Sequence, residues 1–146
     1  MHPYRRLVVW QKAHQLAIAV RTAFARCAAS DIAAQVRRSS ASIPTNIVEG
    51  AGSQTNGMFV RFLGIALASA QETEYLLLLA RDTGHLSTSN QEQLDVQCAE
   101  VQGMLCGLIA AVRRGAMAGA AATPGRIRRP LAPNKQTVEP PANEKG

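Results

Sequence analysis

The sequence predicts an all-α protein, an antiparallel up-down-up-down four-helix bundle, and three observations lead to it. Apolar residues recur at alternating spacings of three and four in four successive segments, the period of a helix face rather than of a strand. Hydrophobic residues make up 47% of the 146 positions and aromatics only 4%, so Ala and Leu must fill the interior, as close helix-on-helix packing favours. Short breaks rich in Gly, Ser and Thr separate the segments, and short connections make antiparallel neighbours. A chain of this length can bury an adequate core as one domain without disulfide or metal.

The first segment carries Val9, Ala13, Leu16, Val20, Ala23 and Cys27 on one face and Lys12, Gln15, Thr22 and Arg26 opposite, and its pattern runs to about Ala29 and Ser30. The second opens after Ser30, with Asp31 suited to the first turn and Ile32, Val36, Ile43 and Ile47 directed inward. Its interior is unusual, because Ser39, Ser40, Ser42, Thr45 and Asn46 form helix poorly and Pro44 removes a donor from the carbonyl of Ser40. The reading is one helix kinked near Pro44, and the alternative is a loop between two short helices.

Gly50, Gly52 and Gly57, with polar residues between them, mark the next turn. The third segment runs from Met58 to Thr83, with Phe59, Leu63, Ala66, Ala70, Thr73, Leu77 and Ala80 in one stripe. The run Tyr75 to Ala80 is apolar around the whole circumference, which predicts a second buried surface involving Tyr75, Leu76, Leu78 and Leu79, most simply a contact between subunits. After Gly84, the hydroxyls of Ser87, Thr88 and Ser89 offer caps for a fourth helix through Leu94, Cys98, Val101, Leu105, Leu108 and Val112, ending at Gly115. Residues 1-115 therefore form the bundle. Residues 116-146, rich in Ala, Gly and Pro and basic in balance, read as a disordered tail.

Sixteen Lys and Arg against ten Asp and Glu give a net charge of +6, which suits polyanions such as nucleic acid. Cys27, Cys98 and Cys106 show no paired spacing and read as small core residues in a reducing compartment. Lys12 and His14 interrupt any signal-peptide core, and no uncharged apolar stretch reaches the roughly 18 residues of a membrane span. The expected location is the cytoplasm, with no membrane partner.

Catalytic and cofactor chemistry finds little support. No Glu is followed three residues later by His, the pair that holds metals inside bundles, so neither metal nor cofactor is expected. Gly50-Ala51-Gly52-Ser53 lacks the strand and lysine of a phosphate loop. Ser39, Ser42, Asn46 and Glu49 share one face of the second helix. They read either as a ligand groove flanked by Arg37 and Arg38 or as a structural hydrogen-bond network with a buried Asn46-Glu49 pair, relieving the carbonyl freed by Pro44; the network is preferred.

Leu7-Val8-Val9-Trp10-Gln11-Lys12-Ala13, Gln35-Val36-Arg37-Arg38-Ser39, Ser42-Ile43-Pro44-Thr45-Asn46-Ile47-Val48-Glu49-Gly50, Phe62-Leu63, Glu72-Thr73-Glu74 and Leu79-Ala80 together resemble a bacterial four-helix bundle family. Its early members are encoded in intervening sequences of large-subunit ribosomal RNA genes. Val48 stands where Ala is commoner in that family. The resemblance spans about residues 5-115 and makes Ser42, Pro44, Asn46, Glu49 and Gly50 a structural signature. It implies a homopentamer arranged as a ring, and distant relatives accompany the reverse transcriptase of diversity-generating retroelements.

The functional expectation is a non-enzymatic oligomeric scaffold that contacts RNA or DNA through Arg5, Arg6, Lys12, Arg37, Arg38, Arg113 and Arg114. The alternative is an adaptor for a protein partner such as a reverse transcriptase, with no nucleic-acid role. An enzyme, with a pocket at Ser42, Asn46 and Glu49, ranks third. Aromatic stacking is expected to be minor, with Trp10 and the phenylalanines in the core.

Overall fold

The computed structural model of the chain describes residues 2–27 and 30–115; the expectation for 116–146 lies outside the described residues. It comprises a single 3-10 turn at Tyr4–Arg6 followed by four α-helices, α1 Val8–Ala23, α2 Asp31–Ala51, α3 Asn56–Asp82 and α4 Thr88–Arg113. Each helix packs against its sequence neighbours, α1 also packs against α4, and the backbones of the diagonal pairs stay apart. This is a closed antiparallel bundle, as the periodicity predicts. Its core is made of the expected stripes, with Leu16, Val20, Val36, Ile43, Ile47, Leu63, Leu77 and Leu105 all fully buried.

Three helices start where hydroxyl side chains satisfy the orphan amides of a first turn. Ser30 accepts from the Ala33 amide, Thr55 from Met58 and Ser87 from Asn90. α3 stops in a Schellman arrangement: Gly84 sits at φ 78°, the Gly84 amide donates to Arg81 and the His85 amide donates to Ala80. The positive φ is what a glycine permits at this position.

α1 ends at Ala23, well short of Ser30. The apolar pattern overruns because Phe24 stays fully buried and Cys27 half-buried within the turn that follows. The turn is fixed from the next helix, where Arg37 Nη2 donates to the Phe24 carbonyl at 2.5 Å, a charged donor on a helix end that has run out of amide partners.

α2 continues unbroken through Pro44, so the two-helix alternative falls. The side-chain donors near the proline go to neighbouring carbonyls, Thr45 to Ala41 and Asn46 to Ser42, each at 2.8 Å, rather than to Ser40. Ile32 is half-buried, and Ala33 takes the inward place expected for it. Cys106 is exposed, against the expectation of a core thiol, because eight residues past Cys98 the helix has turned it off the inward stripe. α3 and α4 are each long and apolar enough to cross a membrane by length and composition, although the larger share of each apolar window is not buried in the bundle.

Candidate nucleic-acid interface

The antiparallel fold sorts the candidate cations by position. The His2 amide donates to the Ala51 carbonyl at 2.7 Å, which ties the N-terminus to the end of α2. Leu7, Val8 and Val9 line an apolar groove with Met104, Gly107, Leu108 and Ala111 of α4. Asn56, Gly57 and Val60 at the start of α3 line another with Val112, Arg113, Arg114 and Gly115. Arg5, Arg6, Arg113 and Arg114 therefore come to one end of the bundle, hereafter the near end, and all four are exposed. Arg61, early in α3 and exposed, joins them. Glu49 is the one carboxylate in the final turns of the four helices there.

The 3-10 turn bearing Arg5 and Arg6 is held in place. Leu7 and Arg6 amides donate to Tyr4 and Pro3, Gln11 Nε2 donates to the Arg5 carbonyl at 2.9 Å, and the Tyr4 ring packs edge-on against Trp10 with centroids 5.0 Å apart. Arg5 lies over the Tyr4 ring at 5.8 Å and its Nε donates to the Tyr4 hydroxyl.

The other three candidates do not join this cluster. Lys12 is ion-paired with Glu100 of α4 at 3.2 Å. Arg37 is committed to the Phe24 carbonyl. Arg37 and Arg38 both lie in the first half of α2, roughly 20 Å along the axis from its near-end terminus at 1.5 Å per residue. Counting arginines along the chain could not separate these groups. Arg61 was missed because it stands alone in sequence, although its place one turn into a helix expected from Met58 was legible.

The polar face of α2 meets α3 as a hydrogen-bonded seam. Thr73 Oγ1 donates to Ser39 Oγ at 2.9 Å and lies 2.8 Å from the Ser69 carbonyl; Ser42 and Ser69 hydroxyls pair at 2.9 Å. Asn46 Nδ2 donates to the Ser42 carbonyl and lies 3.0 Å from its hydroxyl. Ser39, Ser69 and Thr73 are buried, so these groups are occupied with one another, as the structural reading expects. Glu49 departs from that reading: it is exposed rather than buried with Asn46. Gly50 finishes the seam. A Cβ there would stand 2.8 Å from the Phe59 ring and 3.0 Å from Phe62 Cβ, so the absence of a side chain lets α2 and α3 close together.

The model of the 23S rRNA-intervening sequence protein family matches residues 5–107. The chain belongs to that family. A similar solved structure is the crystal structure of a protein with unknown function from the S23 ribosomal protein family of Bacteroides thetaiotaomicron VPI-5482. It is 28% identical, covers 70% of this chain and 98% of its own, and superposes with a TM-score of 0.66. No curated protein matches. The family match takes in the whole α2–α3 seam and the Arg5 turn but stops short of Arg113 and Arg114, so part of the near-end charge lies beyond the matched stretch.

Two further regions bear on what this member of the family can do. Tyr75 is 60% exposed and Leu78 38%, but Leu76 is 5% exposed and belongs to the protomer's own core, with Leu79 half-buried against it. The outward apolar surface expected of this run thus reduces to Tyr75 and Leu78, since the helix turns Leu76 inward beside Leu77. Within α4, Asp95 accepts from Gln91 Nε2 one turn before it, while its Oδ1 is buried without a partner among the described residues. Burial, and secondarily the charge of Glu74, raises the Asp95 carboxyl above its ordinary value. Burial also pushes the Cys98 thiol up to about 12, with Asp95 and Glu74 adding to it, which keeps it protonated and unreactive. Among the described residues, no three His, Cys, Asp or Glu side chains gather as a metal site.

Proposed function

We propose that this protein is a non-enzymatic scaffold, assembled from copies of itself and acting in the cytoplasm, that holds nucleic acid on the near end of its bundle. The observation that carries the reading is the convergence of Arg5, Arg6, Arg61, Arg113 and Arg114 from three separate parts of the chain, faced by Glu49 alone. None of these arginines takes part in an ion pair among the described residues. Uncompensated guanidinium groups on a rigid frame bind phosphates and release counterions. Tyr75 and Leu78, apolar and turned outward from α3, support self-association.

The test is binding of a structured RNA across a salt series. Five phosphate contacts give a slope in log K against log salt of about −4.5 on a duplex stem and about −3.5 on a single-stranded segment. Absence of binding at low salt would overturn the reading. Retention of a protein partner after nuclease treatment, without RNA binding, would establish the adaptor role instead.

A further inference from the structure

The near-end arginines are contiguous with an aromatic column that phosphate binding alone leaves unexplained. Trp10 lies between two rings: Tyr4 meets it edge-on, and His14 stacks on it with centroids 5.0 Å apart and planes 9° from parallel. The Tyr4 contact anchors the N-terminal turn. The His14 contact has no such task, because His14 is exposed, makes no hydrogen bond among the described residues and lies outside the core. Trp10, at the base of the column, is half-buried rather than a core residue as the sequence suggests.

Charge frames the column at both ends. Arg5 and Arg6 flank Tyr4, and Arg21, exposed, stands seven residues beyond His14 on the same side of α1, two turns further along the axis. No Asp or Glu occurs anywhere in α1, so a polyanion laid along this face meets no carboxylate of its own helix. Flat rings interleaved with guanidinium groups are what unpaired bases and their phosphates require. A paired base keeps both faces within its duplex and offers an aromatic side chain nothing to stack on.

We propose that the Tyr4-Trp10-His14 column is a stacking platform for the unpaired bases of a single-stranded nucleic acid whose phosphates lie on Arg5, Arg6 and Arg21. This rests on the near-end reading and adds strand selectivity to it. A duplex would engage the arginines alone.

Trp10 is the single tryptophan of the chain, so its fluorescence reports on the column directly. The experiment titrates the full-length protein at low salt with a short oligouridylate and, in parallel, with an RNA hairpin stem carrying the same number of phosphates. The expected result is quenching of Trp10 by the oligouridylate and not by the stem. His14→Ala, a surface change to a strong helix former, should weaken oligouridylate binding about tenfold and leave stem binding unchanged. Lack of quenching, or an unchanged His14→Ala affinity for the oligouridylate, would overturn the platform. If Arg113→Gln/Arg114→Gln still weakened both RNAs, the near-end reading would stand without it. Failure of both RNAs to bind would remove the two readings together.

Discussion

The two ends of the bundle hold comparable numbers of arginines and use them differently. At the far end Arg21, Arg26, Arg37, Arg38 and Arg81 stand among Asp31, Asp82 and Glu92. There Arg37 closes the end of α1, and Arg81 is paired with Asp82 at 2.9 Å while reaching Gln91. At the near end five arginines face one carboxylate and none is ion-paired among the described residues. Two of the far-end cations, Arg37 and Arg81, are bound into the fold, whereas the near-end cations are presented by it. Net charge counts both alike; only the partners of each guanidinium tell them apart.

The widest separation between the ends should come from charge removal at the near end. Arg5→Gln/Arg6→Gln/Arg113→Gln/Arg114→Gln should lower RNA affinity about a hundredfold at low salt and flatten the salt slope, with little change in thermal midpoint. A filter-binding series beside a melting curve checks both, and an unchanged affinity would break the comparison. Next is the contact that closes α2 on α3 beneath the near end. Gly50→Ala drives a methyl into the Phe59 ring and should cost about 2 kcal/mol in denaturant unfolding despite the better helix propensity of Ala. Arg37→Gln should show the opposite profile to the near-end variant, losing about 1 kcal/mol of stability as the Phe24 carbonyl loses its charged donor, with RNA affinity intact.

The smallest effect tests the mid-bundle carboxylate. Because Asp95 is raised in the folded state, the folded chain holds that proton more tightly than the unfolded chain. Ionised Asp95 therefore costs stability at neutral pH, and the cost is relieved as pH falls through the raised value toward the ordinary carboxylate range. Asp95→Asn should be slightly more stable at pH 7, by under about 1 kcal/mol, and the difference should vanish in acid; urea unfolding at the two pH values measures it.

Much of the fold was legible because helix faces are local. Val9 to Val20, Phe59 to Ala80 and Leu94 to Val112 reveal their inward stripes through spacing alone, and Ser30, Ser87 and Gly84 announce the ends. What spacing could not convey was which residues share an end of the bundle. Arg5 and Arg113 reach the same end through the antiparallel return of α4, and Arg37, which looked like their companion, is kept in the first third of α2. Leu76 and Tyr75 look alike in an apolar run, yet one helical step turns the first into the core and the second to solvent. The structural reading of Ser39, Ser42 and Asn46 was recoverable from their shared face, but the role of Gly50 was not, because it depends on where Phe59 and Phe62 of another helix arrive.

The near end is also where the first and last described parts of the chain meet. α2 and α3 form a hairpin across a short turn and can pair early, since their contacts close a small loop. Arg5 and Arg114 are brought together only when α1 and α4 have both docked. A ligand bridging them would recognise completed chains and pass over partly folded ones, and by clasping the first helix to the last it would favour the closed bundle by mass action. The protein and its cargo would then hold each other in shape.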